Sequence, residues 1–123
     1  MRNDKLSILS MRFSVEIIRL AQWLQHQHEY IISKQIGRSG TSIGANIREA
    51  QYGSSKPDFI AKLQIALKEA NETDYWLELL RETDYLSPTE YKRLSASCRE
   101  IQITLVHSIN TAKDNLAKSS KKS

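Results

Sequence analysis

Two stretches of this chain place mostly apolar residues at steps of four and three, and this spacing limits the possible folds more than any other feature. Steps of four and three keep side chains on one face of an α-helix, as in a coiled-coil seam. The first set is Phe59, Leu63, Ala66, Ala70, Thr73, Leu77 and Leu80, and the second is Tyr91, Leu94, Cys98, Ile101, Leu105, Ile109, Ala112 and Leu116. The spacing predicts two long amphipathic helices.

Two earlier stretches also have helical spacing, and no stretch alternates between apolar and polar residues as a strand would. They contain Phe13, Ile17, Leu20, Ala21 and Leu24, and then Ile32, Ile36, Ser39, Ile43, Ile47 and Ala50. The sequence therefore predicts four helices at about residues 6–26, 30–52, 56–83 and 88–116, followed by a frayed basic tail at 117–123.

Residues between the predicted helices indicate short connections. Gly53 is expected to end the second helix in a left-handed conformation. Ser55 with Asp58, and Ser87 with Glu90, resemble capping boxes in which the acidic side chain reaches back to the cap. Short connections force consecutive helices to be antiparallel neighbours. We expect an all-α, antiparallel up-down-up-down four-helix bundle that forms a single domain over residues 1–123.

The segment GRSGTSIGANIREA, residues 37–50, allows two interpretations. Gly37, Gly40 and Gly44 could form a phosphate-binding loop of a nucleotide-using enzyme, or they could be a small-residue face of one unbroken helix. The flanking isoleucines keep their helical phase across the glycines, and the chain lacks the lysine and preceding strand of a phosphate loop. We therefore favour a helix whose three glycines, together with Ser39 and Asn46, pack against a neighbouring helix.

Recognisable catalytic or metal-binding motifs are missing from the sequence. No serine stands in a recognisable motif with a histidine and an acid, and no acidic residue precedes a helical histidine by three positions. Cys98 is the only cysteine and occupies a seam position, which predicts a small core residue. The sequence predicts neither an enzyme, a cofactor nor a metal site. With no signal sequence and no apolar run of ~20 residues, we expect a cytoplasmic protein without membrane contact.

Positive charge is concentrated on two of the predicted helices, although the net charge is only +4. Lys34, Arg38 and Arg48 fall within an arc of roughly 80° on helix two at about 100° per residue. On helix four, Lys92, Arg99 and Lys113 recur at multiples of seven, and Lys118, Lys121 and Lys122 extend that end. Residues 56–83 instead carry six acids against four bases, among which we expect Glu69 and Glu72 to be solvated. Either the three basic residues of helix two and the three at multiples of seven on helix four contact nucleic acid, or they are a solvated surface with incidental asymmetry.

Apolar residues outside the seams raise the question of assembly. Trp76 lies beside the seam of helix three, and Ile103 and Val106 lie off the stripe of helix four. They predict a contact between subunits, unless the core of one bundle is simply wide.

The segments RSGTSIGANIREAQ and FIAKLQIALKEANETDYWLELLRETDYL resemble the four-helix-bundle family of 23S rRNA intervening-sequence proteins. The matching motifs are Ser-Ile-x-x-Asn-Ile at 42–47 and Phe-x-x-x-Leu-x-Ile-Ala-Leu at 59–67, and the resemblance extends from about Leu6 to Asn115. The bundle is also similar to the accessory variability protein of diversity-generating retroelements.

The resemblance implies rings of subunits, commonly five, and for the retroelement relative it implies binding of nucleic acid and of a reverse transcriptase. It implies no known reaction. Our first hypothesis is a non-enzymatic homo-oligomer that binds RNA or DNA through lysine and arginine contacts to phosphates. The alternative is a scaffold for a protein partner such as a polymerase.

Overall fold

The computed structural model describes residues 4–122, with side chains for residues 4–120. It contains four α-helices: α1 (Lys5–His26), α2 (Ile31–Gln51), α3 (Lys56–Glu82) and α4 (Pro88–Lys122). Each helix packs against its neighbours in the chain and α4 also meets α1, whereas within the described residues the diagonal pairs α1–α3 and α2–α4 do not approach each other. Consecutive helices run antiparallel. The predicted all-α, up-down-up-down four-helix bundle is confirmed.

The serines predicted to cap α3 and α4 do so. Ser55 Oγ accepts a hydrogen bond from the backbone N–H of Asp58 at 3.2 Å, and Ser87 Oγ accepts one from that of Glu90 at 3.1 Å. The carboxylate of Glu90 does not complete a capping box, because it binds the guanidinium of Arg93 at 3.1 Å. A serine cap alone is enough to satisfy one of the free N–H groups at a helix start.

Two residues that follow helices have a left-handed conformation, and neither of them is the expected Gly53. No glycine in the described part of the chain has a positive φ, whereas His28 has a φ of 64° and Asp84 a φ of 65°. The prediction of a left-handed Gly53 is therefore wrong. Gly53 lies in a crowded turn instead: a Cβ there would lie 2.8 Å from Asp58 Oδ2 and 3.1 Å from the carbonyl oxygen of Ala50.

Both heptad seams form the centre of the core. Their central residues are buried, and only the ends differ from the prediction, since Ile60 rather than the half-buried Phe59 begins the buried row of α3. Cys98 is fully buried and its Sγ donates to the carbonyl oxygen of Ala70 at 3.4 Å. Burial raises the pKa of this thiol to about 12. Cys98 is a core residue, as predicted.

The glycine segment lies inside α2, which runs unbroken from Ile31 to Gln51. Its backbone N–H groups are bonded along the helix and are not free to bind a phosphate, so the helical interpretation is confirmed. A Cβ at Gly40 would lie 2.6 Å from Cγ2 of Ile17 on α1. One at Gly37 would meet only Ala21 Cβ at 3.7 Å, and one at Gly44 would meet two serine hydroxyls at 3.4 Å.

The two polar residues predicted to pack beside the glycines differ in what they contact. Ser39 is fully buried, and its Oγ accepts a hydrogen bond of 2.8 Å from Thr73 Oγ1 on α3. Asn46 is half-buried, and its side chain donates to the carbonyl oxygen of Ser42 in the same helix at 2.8 Å. Ser39 thus joins two helices, whereas the hydrogen bond of Asn46 stays within α2.

Candidate nucleic-acid interface

The predicted basic arc of α2 is exposed on the outer side of that helix. Lys34, Arg38 and Arg48 all lie at exposed positions. Lys34 and Arg48 form no ion pair with another described residue, whereas Arg38 forms two. The three side chains share a helix face, but they do not share an electrostatic environment.

Arg38 is bound by acidic side chains of α3. Its Nη1 lies 3.2 Å from Glu69 Oε1, and its Nη2 binds Glu72 Oε2. Glu72 also accepts a hydrogen bond of 3.0 Å from Trp76 Nε1. The Trp76 hydrogen bond, with help from Arg38, holds the pKa of Glu72 below its ordinary value, and Glu72 in turn raises the pKa of Arg38. Two carboxylates around one guanidinium leave no positive excess here.

The expectation that Glu69 and Glu72 are simply solvated is wrong. Their side chains are only 17% and 33% exposed, because they face Arg38 across the α2–α3 contact. Trp76 is half-buried and packs against the core of its own subunit. Helical phase predicted correctly on which part of α3 these side chains lie, but the residues that they contact depend on how α2 packs against α3.

Arg48 lies at a groove between α1 and α2 that has a volume of about 460 Å³. The groove walls include Met11 and Ser14 of α1 and Gly44 of α2. The small residues of α2 let the two helices approach closely, so the groove is lined mainly by short side chains. Arg48 is the cation at its rim.

The basic residues of α4 form an outward stripe. Lys92, Arg99 and Lys113 lie at exposed positions, and none forms an ion pair with another described residue. Val106 occupies the missing heptad position of this stripe and is 44% exposed. At 1.5 Å per residue, the stripe from Lys92 to Lys113 is about 32 Å long. It presents three cations with no local acidic partner.

The helix that carries this stripe is longer than predicted. It continues through Lys122, whereas the sequence indicated an end near residue 116 and a frayed tail. Lys118 is exposed and extends the basic character of this end. The side chains of Lys121 and Lys122 and all of Ser123 lie outside the described residues.

The two basic surfaces are not brought together in one subunit. The helices α2 and α4 occupy diagonal corners of the bundle and do not approach each other within the described residues. One straight ligand cannot contact both outer faces of the same subunit. Lys34, Arg38 and Arg48 therefore form one candidate surface, and Lys92, Arg99 and Lys113 form another.

A third exposed surface was missed by the sequence analysis. Ile8, Met11, Val15 and Ile18 follow steps of three, four and three along the outer side of α1, and each is between 43% and 52% exposed. This strip is a second heptad row of α1, offset from the buried row. Reading α1 for two apolar rows instead of one would have found it. Of the off-seam residues expected at an interface, Ile103 is indeed 63% exposed.

The described part of the chain contains neither a membrane span nor a metal-binding cluster. None of the four helices is long and apolar enough to cross a membrane. No group of three or more His, Cys, Asp or Glu side chains in this part of the chain is placed to hold a metal ion.

Comparison with known proteins gives one family and one fold. The family model described as 23S rRNA-intervening sequence protein matches residues 4–107. A solved structure from Bacteroides thetaiotaomicron VPI-5482, a protein of unknown function from the S23 ribosomal protein family, is 50% identical to this chain. It superposes with a TM-score of 0.83, and the match covers 85% of this chain and 97% of that one. No curated protein matches the chain.

Proposed function

This chain belongs to the family of 23S rRNA-intervening sequence proteins, and from that premise we propose that it is a non-enzymatic, homo-oligomeric nucleic-acid-binding protein of the cytoplasm. The contact surface is the α4 stripe of Lys92, Arg99 and Lys113, and the ligand is RNA, or DNA in place of it. The observation that carries the proposal is that these three cations share one outer face and have no acidic partner among the described residues.

The α4 stripe suits a phosphate backbone. Its length of about 32 Å corresponds to roughly nine base-pair rises of B-form DNA at 3.4 Å each. Cations without a local partner lose no ion pair when they meet phosphate, whereas Arg38 would have to leave Glu69 and Glu72. Lysine and arginine contacts to phosphates supply affinity with little sequence preference. Of the two predicted basic surfaces, the α4 stripe is therefore the main contact.

Assembly would multiply this modest surface. The α1 strip of Ile8, Met11, Val15 and Ile18 is the kind of exposed apolar row that a second copy of the chain covers. A ring, with five subunits as the resemblance implies, would repeat the α4 stripe and bind one long ligand through many weak contacts. Light scattering should give a multiple of the 14.1 kDa chain mass, and Val15→Glu should reduce it to one chain. A wild-type mass of one chain would contradict the oligomer.

The binding surface is tested with two variants matched in charge. Lys92→Gln/Arg99→Gln and Lys34→Gln/Arg48→Gln each remove one lysine and one arginine, on diagonal corners of the bundle. We expect the α4 variant to weaken RNA binding and to flatten the plot of log affinity against log salt by about 0.7 to 0.9 per lost contact. The α2 variant should behave as the wild type.

Three results would contradict this assignment. Equal binding by the wild type and the α4 variant would remove α4 as the surface, and loss in the α2 variant alone would move the surface to α2. Absence of RNA and DNA binding by the wild type would reject the nucleic-acid function itself.

The second candidate function is a scaffold for a protein partner of polymerase type, such as a reverse transcriptase. The α1 strip favours it, because an exposed apolar row can bind a different protein as readily as a second copy of this chain. Capture of the polymerase that is insensitive to salt and lost in Val15→Glu would support this function over the first.

A further inference from the structure

A groove lies where the C-terminal half of α1 meets the start of α4. It has a volume of about 510 Å³, within the ~300–1,000 Å³ typical of small-molecule sites. Its floor is apolar and includes Leu20 of α1, Leu86 of the α3–α4 connection and Leu94 of α4. Trp23 and Tyr85 stand at its side, and we call it the Trp23 groove.

The indole of Trp23 is available to a ligand. It is 43% exposed, and it meets the ring of Tyr85 edge to face, with centroids 6.4 Å apart and an interplanar angle of 83°. No described residue hydrogen-bonds its Nε1, whereas the other tryptophan, Trp76, donates to Glu72. An exposed ring with a free donor offers both stacking and a hydrogen bond.

The charged residues of the groove are balanced, with two carboxylates and two guanidinium groups, but only one of the arginines is engaged. Arg93 binds Glu16 across the groove and Glu90 on its own helix. Arg19 also lines the groove and forms no ion pair with a described residue. It precedes Trp23 by four residues, so the two side chains are neighbours on the same helix face.

The end of the α4 stripe lies near the groove but on a different face of α4. Lys92 is next to the groove residue Arg93 in sequence, and at about 100° per residue it lies about 100° round the helix from it. A strand whose phosphates lie along the α4 stripe must therefore pass round the solvent side of α4 at Lys92 to enter the groove. At that point the surface changes from cations to an aromatic ring above an apolar floor.

We propose that the Trp23 groove receives an unpaired nucleobase of a single-stranded nucleic acid, which stacks on Trp23 while Arg19 contacts an adjacent phosphate. The inference rests on the proposed nucleic-acid function and narrows it to ligands with at least one unpaired base. A base in a closed duplex cannot enter the groove, and every base has a face that can stack, so the site is tolerant of sequence.

The test compares a single-stranded RNA oligonucleotide with a blunt RNA duplex of the same length, by fluorescence anisotropy. Trp23→Leu should bind the single strand about 10-fold more weakly, which equals about 1.4 kcal/mol, while its duplex affinity stays within about twofold of the wild type. The control Tyr52→Leu removes an aromatic side chain that is 83% exposed and lies outside the groove, and it should change neither affinity.

A second measurement reports on the ring directly. Trp76→Phe leaves Trp23 as the only tryptophan, and its emission should be quenched by the single strand but not by the duplex. Equal affinities of Trp23→Leu and the wild type for the single strand, or equal weakening for both ligands, would overturn the base site.

The two proposals fail in different ways. If Trp23→Leu has no selective effect while Lys92→Gln/Arg99→Gln weakens both ligands, the base site is wrong and the nucleic-acid function stands. If the wild type binds neither ligand, the function itself fails. If Trp23→Leu loses a protein partner but keeps its RNA affinity, the groove is a peptide site and the base assignment is overturned.

Discussion

The diagonal helices α2 and α4 both carry predicted basic residues, yet they are joined to the bundle in different ways. On α2, Gly40 lets Ile17 of α1 approach the backbone, and Ser33 Oγ donates to the carbonyl oxygen of Ala21 at 2.9 Å within the core. Its outward Arg38 is held by α3. The contact of α4 with α1 is looser, and ion pairs such as Lys5–Glu100, at 3.7 Å, cross it at the surface.

This difference shows what the glycines contribute. Each glycine in a helix costs about 0.8 to 1 kcal/mol relative to alanine, or roughly 2 to 3 kcal/mol for three. Only Gly40 requires the close approach, because a Cβ at Gly37 or Gly44 would have ordinary contacts of 3.7 and 3.4 Å. At Gly40 the buried contact with Ile17 offsets the cost. No such approach is seen between α1 and α4 in the described residues, where the Trp23 groove lies. The close approach at Gly40 does not close the whole α1–α2 contact, because the groove of about 460 Å³ beside Arg48 lies further along it.

The largest effect is expected from a substitution at the close contact between α1 and α2. Gly40→Leu should lower the free energy of unfolding by about 3 kcal/mol, because Ile17 is fully buried and a Cβ would already lie 2.6 Å from its Cγ2. Thermal or denaturant unfolding measures the change. Gly37→Ala is the matched control: its Cβ has ordinary contact at 3.7 Å, so it should stabilise the protein by up to about 1 kcal/mol. Equal stabilities of Gly40→Leu and the wild type would contradict the close approach.

A smaller effect is expected at the buried hydroxyl pair of α2 and α3. Thr73→Val leaves Ser39 Oγ without the 2.8 Å hydrogen bond in a fully buried position and should cost about 1 to 3 kcal/mol. Thr73→Val combined with Ser39→Ala removes both polar groups and should recover most of that loss. The two hydroxyl groups are not coupled if the double variant loses as much unfolding free energy as Thr73→Val and Ser39→Ala lose in sum.

The α4 side should respond much less. Arg93→Gln removes ion pairs to Glu16 and Glu90, but the arginine side chain is 50% exposed, so we expect a loss of only about 0.5 kcal/mol. Added salt should reduce the difference between variant and wild type further. A loss comparable with that of Gly40→Leu would mean that α4 is joined to α1 as firmly as α2 is, which would end the contrast between the two corners.

The smallest effect concerns acid and the carboxylate beside Arg38. The folded-state pKa of Glu72 lies below its ordinary value of 4.5, so its contribution to stability is present above about pH 4.5 and is lost as the pH falls through the folded pKa. Trp76→Phe removes the leading cause of that lowered pKa. Its melting temperature should therefore fall slightly less than that of the wild type between pH 5 and pH 3. Parallel curves for the two proteins would argue against this coupling.

Much of the fold was predictable because its determinants are local. The steps of four and three in α3 and α4 placed Leu63 and Leu105 in the core, and the phase across the glycines predicted an unbroken α2. Serine caps at Ser55 and Ser87 follow from the chemistry of a few adjacent residues. The prediction failed at Gly53, since composition does not say which residue after a helix becomes left-handed.

The candidate site was predictable only in part. Helical phase alone predicted the outward arc of Arg38 and the outward stripe of Arg99. It could not show that Arg38 faces Glu69 and Glu72, whose positions are more than thirty residues away in the chain. It also could not place Trp23 beside Tyr85, since that contact depends on the packing of α1 against the α3–α4 connection.

The sequence by itself therefore determined four helices, their buried faces and the close approach at Gly40, since periodicity, capping and small residues act within a helix or a single turn. The tertiary structure alone decided which charges are neutralised, that α2 and α4 stand on diagonal corners, and that a groove opens between α1 and α4. The physical reason is the distance along the chain over which each interaction acts. Helical phase is set by neighbours three and four residues apart, whereas ion pairs and grooves are set by how whole helices pack.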